Sequence, residues 1–331
     1  GHQGKLLSKP FIIWRNTMDK PIAVVAFGGN AILKSKEDGM FETQLENAKK
    51  TCRELLVILH KRYELVIVHG NGPQVGNLLI QFENASDIIP VPPLDVAVAS
   101  SQGLLGHMLE ISMRSALEED KLTKDVVTIL TQVVVDERDP AYAHPTKPVG
   151  PFLTKERAEQ HEKEDGWSVI EDSGRGYRRV VYSPRPQKIL ELSTIKTLAE
   201  SGSIVIACGG GGIPVNYHTG SVMGTEGVID KDFAASLLAY NLGAELFMIL
   251  TGVNRVSIDY GKPTQKDLDV MTVDEAKKYL EEGQFPPGSM GPKIEASIEY
   301  IEKGGKEVII TSEQNVVNAM ERGDCTKIIG S

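Results

Sequence analysis

Residues 22–30 read IAVVAFGGN. Ile22–Phe27 is an unbroken apolar run of strand length that stops at Gly28-Gly29-Asn30, and Glu42–Arg62 then carries Leu45, Ala48, Cys52, Leu55, Leu56 and Leu59 at helical spacing. A strand, a glycine turn and a helix therefore follow in order. The unit recurs at once, because Leu65–Val68 ends in His69-Gly70-Asn71-Gly72-Pro73. Further runs occupy Val126–Val135, Ser203–Ala207 before Gly209–Gly212, Leu246–Leu250 before Thr251-Gly252, and Val308–Thr311. None alternates with polar residues, so both faces of each strand are expected to be covered, as in a mainly parallel sheet between layers of helices. The fold class is α/β. In such sheets ligands bind beyond the carboxyl ends of the strands, where these glycine turns fall.

The 331 residues and 41% hydrophobic content suit one large α/β domain or two lobes. Thirty-six basic against 45 acidic side chains leave a net charge of −9, which opposes general affinity for nucleic acid or anionic lipid. No run approaches the roughly 18 apolar residues of a membrane span. Cys52, Cys208 and Cys325 lack metal-ligand spacing, and their odd number suits a reducing cytoplasm. Residues 1–20 differ from the rest and are expected to be a tag remnant or leader: Gly1-His2 resembles the scar of a cleaved tag, and Met18 is a plausible start.

From Asp136 to Pro186 the rhythm breaks into a stretch rich in Pro, Lys, Arg and Glu. This reads as an insertion forming a small subdomain over one end of the sheet. Within it Lys147 stands between Pro145 and Pro148, either an exposed turn lysine or a cation on a stiffened backbone.

The turns Gly28-Gly29-Asn30, Gly70-Asn71-Gly72 and Gly209–Gly212 let backbone N–H groups approach phosphate or carboxylate oxygens. Neither the G-x-x-x-x-G-K-[ST] nor the G-x-G-x-x-G pattern occurs, which argues against a dehydrogenase. In Gly224–Tyr240, GTEGVIDKDFAASLLAY, Asp230-Lys231-Asp232 opens an apolar helix that Gly243 should stop. Phe285–Lys293, FPPGSMGPK, delivers Lys293 to another helix start. A lysine there opposes the macrodipole unless it meets an anion. On these residues alone Lys231 is either a solvated side chain beside a cap or a ligand for an anion.

VVAFGGNAIL, VHGNGPQVGNLLIQ, DERDPAYAHPTKPVGPF, EDSGRGYRRVV, GGGGIPV, GVIDKDFAASLLA, ILTGV, IDYGKP and FPPGSMGPKIEA, in this order, closely resemble the carbamate kinases of the amino-acid kinase family. The resemblance runs from about Pro21 to the end. It implies a three-layer αβα sandwich around about eight strands, with an acceptor lobe over 21–217 that includes a protruding subdomain at 136–186, and a nucleotide-binding lobe over 218–331. It further implies ATP and ADP, carbamate and carbamoyl phosphate as ligands, Mg²⁺ held by phosphates and water rather than by a protein cage, and a homodimer. The pathway would be arginine breakdown through arginine deiminase.

Residue by residue, the resemblance gives Lys147 contact with the acceptor or the transferring phosphoryl group, and gives Lys231 and Lys293 the phosphates of ATP. Asp232 would orient both lysines. Gly28, Gly29, Asn30, Gly70 and Asn71 would line the acceptor and phosphoryl pocket. Gly209, Gly210 and Gly211 would approach the phosphates, and Thr251, Gly252, Val253, Tyr260, Met290 and Gly291 would border the nucleotide. Tyr182 and Asp259 depart from the pattern, where proline and asparagine are expected. A kinase of another small carboxylate and a non-catalytic small-anion sensor are the rival readings.

Overall fold

The computed structural model describes residues 20–34, 37–172 and 176–331; the expected tag or leader lies almost wholly outside them. An eight-stranded sheet runs in the order Val270–Thr272, Thr326–Ile329, Glu307–Ser312, Leu246–Thr251, Ile22–Phe27, Glu64–His69, Ile204–Ile206, Val126–Thr128. All neighbours are parallel except Glu307–Ser312 with Thr326–Ile329. Successive side chains of one strand point to opposite faces, and the two cores show it directly. Ile22, Val24 and Ala26 pack with Leu238 and Ile294 on one side. Ala23, Val25 and Phe27 pack with Leu55 and Leu109 on the other. The first side is covered by helices Lys231–Leu242 and Met290–Glu302, the second by Phe41–His60 and Leu94–Glu119. The molecule is thus an αβα sandwich.

From Ile22–Phe27 the chain moves outward to Glu64–His69, whereas Leu246–Thr251 lies on the opposite flank of the same strand. The winding direction therefore reverses between these two central strands, and a crevice opens beyond their carboxyl ends. Gly28 follows one strand and Gly252 the other.

The single run expected over Val126–Val135 is corrected by the structure. Val126–Thr128 belongs to the main sheet, but Gln132–Val135 enters a separate sheet of order Ser221–Gly224, Ile213–His218, Gln132–Val135, Pro186–Ile189. The break sits at Thr131, whose N–H donates to Gln102 Oε1 (2.9 Å) and whose carbonyl accepts from Gln102 Nε2 (3.1 Å). A side chain from helix Leu94–Glu119 thus takes up the N–H that the main sheet leaves free, while the same carbonyl also accepts from Ile213 N–H (2.9 Å) of the second sheet.

The stretch that breaks the rhythm holds a three-stranded antiparallel sheet of its own, Lys147–Leu153, Gly176–Val181 and Ser168–Asp172, with helix Lys155–Glu164 against it. Thr154 caps that helix by accepting from Arg157 N–H (3.3 Å). Among the described residues no helix is long and apolar enough to cross a membrane.

Candidate active site

Helix Lys231–Leu242 starts where the sequence places its polar cluster and stops at Gly243, whose φ of 65° is the left-handed conformation that glycine adopts without strain. Asp230 is the N-cap: its Oδ1 accepts from the N–H of Asp232 (2.8 Å). That cap turns Asp232 inward, where its side chain is 3% exposed. Lys231 Nζ donates to Asp232 Oδ1 (3.1 Å) and Lys293 Nζ to Oδ2 (3.0 Å). One buried carboxylate thus spans two lysines from two helices. The second helix begins at Met290, so Lys293 lies in its first turn.

The electrostatics follow from this geometry. Burial alone would push the Asp232 carboxyl up, but the charges and hydrogen bonds of Lys231 and Lys293 outweigh it and hold the group well below the usual carboxylate range. Burial likewise opposes the charged form of Lys231, yet Asp232 and Asp230 keep its ammonium above the ordinary lysine value. Lys293 is shifted down, by burial and then by the charge of Lys231. Lys147, on the first strand of the inserted sheet, approaches from above, with Nζ 3.8 Å from Asp230 Oδ2.

These groups share a cavity of about 450 Å³ lined by Gly28, Gly29, Asn30, Gly70, Asn71, Gly210, Thr251 and Gly252, together with Lys147, Asp230, Lys231, Asp232 and Lys293. It adjoins a larger cleft of about 1010 Å³ beneath the inserted sheet, with Asn30, Asn71, Lys147 and Asp230 on both walls. The glycines serve more than one purpose. A Cβ on Gly70 would lie 2.9 Å from Lys231 Cδ and 3.1 Å from both Gly28 Cα and Gly29 N, so this glycine is the groove in which the lysine stem runs. Its own N–H donates to Phe27 O (2.7 Å) and is spent within the protein. Gly210 and Gly211 have φ of 65° and 88°, and a Cβ on them would strike Asn71 Nδ2 at 2.3 Å and Ile229 O at 2.2 Å.

Several expected residues lie off this wall. Gly209 packs on His69 and Gln102, and Gly211 on Ile229, as supports of the turn rather than its exposed face. Val253, Tyr260, Met290 and Gly291 do not line the cavity, and Tyr260 is 70% exposed. Asp259, one of the two departures from the pattern, has φ of 52°, which suits asparagine or aspartate, and its Oδ1 accepts from Gln284 Nε2 (3.1 Å). Tyr182, the other, packs against Tyr142 with ring centroids 5.3 Å apart and planes tilted by 54°.

Sequence reasoning missed the residues that brace the site. Asn71 Nδ2 donates to the buried Ser101 Oγ (2.9 Å), and Gln74 Nε2 to Gly29 O (3.3 Å). Glu313 also lines the cavity, and its place just past strand Glu307–Ser312 was a readable signal. Arg185 packs over the Phe233 ring (3.4 Å) while its guanidinium donates to Glu295 and Glu299, joining the two lysine-bearing helices.

The sequence matches the amino acid kinase family over residues 21–312. It is 48% identical over 309 residues to the carbamate kinase of Thermococcus kodakarensis, covering 92% of this chain and 98% of that one. The chain belongs to the amino acid kinase family, in its carbamate kinase branch. The carbamate kinase of Clostridium perfringens is 47% identical over 310 residues, 92% of this chain and 99% of that one. Among solved structures, the carbamate kinase from Giardia lamblia bound to AMP-PNP superposes with a TM-score of 0.89 at 40% identity, covering 94% of this chain and 99% of that one. Membership of the amino acid kinase family makes the chain a phosphotransferase, and the paired lysines are cations of the kind such an enzyme needs.

Proposed function

We propose that this protein transfers a phosphoryl group reversibly between ATP and carbamate: ATP + carbamate ⇌ ADP + carbamoyl phosphate. The observation that carries this reading is the pair of lysines, 231 and 293, pinned 3.1 and 3.0 Å from one buried carboxylate at the mouth of the central crevice. A small-anion sensor has no need of such a set, and the relatives named carbamate kinase favour carbamate over another carboxylate.

Carbamate is already an anionic oxygen nucleophile, so in-line attack on the γ-phosphorus requires no general base. His69, the buried histidine beside the pocket, suits none: burial pushes it down to about 4, and its Nδ1–H donates to Gly70 O (2.8 Å). What attack requires is relief of charge repulsion. Two unit charges ~4 Å apart repel by about 4 kcal/mol at an effective dielectric near 20, enough to slow attack by roughly three orders of magnitude. Lys147, Lys231 and Lys293 share the cavity with Asp230, Asp232 and Glu313, so its formal charge balances, and it is the placing of the three ammoniums rather than a net surplus that suits a polyanion. The cations are fixed before substrate arrives, so little reorganisation accompanies charge transfer.

ATP use implies a divalent cation, and we take it to be Mg²⁺. Among the described residues no group of three or more His, Cys, Asp or Glu could hold a metal. Oxygen donors are nonetheless present: Asp230 and Glu313 on the wall would hold its waters, phosphates supplying the remaining ligands. When bound, the ion neutralises phosphate charge.

The same reading assigns residues 21–217 to an acceptor lobe with the insert 136–186, and 218–331 to a nucleotide lobe. Val253, Tyr260, Met290 and Gly291 would border the base and ribose beyond the phosphate cavity. A homodimer through the first lobe, a cytoplasmic site and an ATP-forming role at the end of arginine breakdown complete it. Mixing the protein with Mg-ADP and carbamoyl phosphate tests the reaction. ATP should form, and Lys231→Ala should lose turnover by several orders of magnitude while staying folded. No ATP above background, with acetylglutamate or aspartate consuming ATP instead, would overturn the reading.

A further inference from the structure

Helix Gly72–Asn84 starts in the acceptor cleft at Asn71-Gly72 and runs beneath the inserted sheet. Near the cleft the two meet across a flat seam: a Cβ on Gly76 would lie 3.7 Å from Gly150 Cα. Beside them Val149 of strand Lys147–Leu153 is buried in an apolar cluster with Leu94, Val98, Ile213 and Val228, so packing alone holds this end. The far end of the helix carries a different contact. His161, from helix Lys155–Glu164 of the insert and 7% exposed, places Nε2 at 2.9 Å from Glu83 Oε1 and Nδ1 at 2.6 Å from Asp165 Oδ2. Its ring stacks on Trp167 with centroids 4.0 Å apart and planes 8° from parallel, and Arg179 lies 4.5 Å from the centroid of that indole. Glu83 also accepts from Arg157.

A neutral imidazole has one N–H and one lone pair, whereas the imidazolium has two N–H groups. Both ring nitrogens face carboxylates, so both hydrogen bonds form only when His161 is protonated. We propose that His161 is a protonation-dependent positioning residue: its imidazolium latches the inserted subdomain to Glu83 and so holds the Lys147 strand over the acceptor cleft. Losing the proton leaves one ring nitrogen with a lone pair facing a carboxylate while Arg157 still holds Glu83, so the seam weakens without opening. The groups that set its charge are Glu83 on the body helix, Asp165 and Arg157 on its own helix and cap, and Arg179 on the neighbouring strand, itself paired with Glu226.

The two tryptophans, Trp14 and Trp167, make this measurable. In a Trp14→Phe background, Trp167 emission should be quenched at low pH by the stacked imidazolium and should recover as pH rises from 5 to 9. His161→Gln, which keeps one donor but cannot titrate, should abolish that transition. Emission that is flat in the parent protein, or that titrates identically in the variant, overturns the latch. The kinetic arm rests on the carbamate kinase reading: His161→Gln should raise KM for carbamoyl phosphate about tenfold (~1.4 kcal/mol) at low pH, with kcat and KM for ADP within twofold, and the two proteins should converge at high pH. An equal KM at low pH overturns positioning. Should His161→Gln fail to fold, Asp165→Asn serves as the second variant and must shift the Trp167 transition to lower pH. The fluorescence arm needs no turnover, so an inactive protein with a titrating Trp167 counts against the reaction and leaves the latch standing.

Discussion

Replacing Asp232 by asparagine keeps the shape of the pin and removes its charge. In the wild type the carboxylate is 3% exposed and the lysine side chains 13% and 12%, so water can compensate little of the loss. At ~3 Å and an effective dielectric near 20 each ion pair is worth about 5 kcal/mol before desolvation. Removing one partner of a buried pair costs about 3–5 kcal/mol in practice. A ceiling applies, because one ammonium can release its proton, which from an ordinary lysine at pH 7 costs about 5 kcal/mol. Lys293, already shifted down by burial and by Lys231, is the one to do so. Asp232→Asn should therefore lose about 3–5 kcal/mol of stability in urea unfolding without ligand. Saturating Mg-ATP should narrow that gap, since its phosphates provide the missing negative charge, while kcat falls by about two to three orders of magnitude. A ligand-free loss below about 1 kcal/mol, or a gap that nucleotide leaves unchanged, would refute the view that this carboxylate stores the charge balance of the site.

Two further perturbations separate packing from charge. Gly70→Ala puts a methyl 2.9 Å from Lys231 Cδ and 3.1 Å from backbone on two sides, so it should cost about 1–3 kcal/mol and displace the lysine, whereas Gly28→Ala meets Lys231 Cε at an ordinary 3.7 Å and should cost far less; equal losses in kcat and melting temperature would contradict the groove. His69, at about 4 when folded against 6.5 otherwise, binds protons more readily unfolded, so its stabilisation is complete above about 6.5 and drains as pH falls toward 4, by up to about 3 kcal/mol. Urea midpoints between pH 4.5 and 7.5 should show that slope and lose it in His69→Gln; parallel slopes would assign the acid sensitivity elsewhere.

The central strands were legible because both of their faces are buried, which leaves an uninterrupted apolar run ending in glycine. Lys231 and Lys293 drew attention for the opposite reason, as lysines at helix starts where the macrodipole opposes a cation, whereas Lys147 and Asp232 took their expected roles from the family resemblance. Ser101, Gln74 and Gln102 gave no such signal. They are polar residues inside amphipathic helices, where a lone amide or hydroxyl reads as surface, and only the tertiary contacts to Asn71, Gly29 and Thr131 reveal them as buried braces. The register of Val126–Val135 was equally hidden, since a strand that changes sheets keeps its apolar composition and the partner that ends the first pairing, Gln102, lies 29 positions from Thr131.

Lys231 and Lys293 occupy first turns of helices, where the macrodipole opposes a cation. The resting protein offsets this conflict with one carboxylate between the two ammoniums and a second at the N-cap, which balances their charge but leaves the two ammoniums close to each other across Asp232. An incoming polyphosphate would meet two helix N-termini and two cations already aligned, and would relieve their mutual repulsion rather than create new strain. Nucleotide should then stabilise the fold by more than its contacts alone provide, because it replaces repulsion with attraction at the point where the sheet reverses its winding. Salt should weaken that added stability less than it weakens exposed ion pairs, since the lysines here are nearly buried.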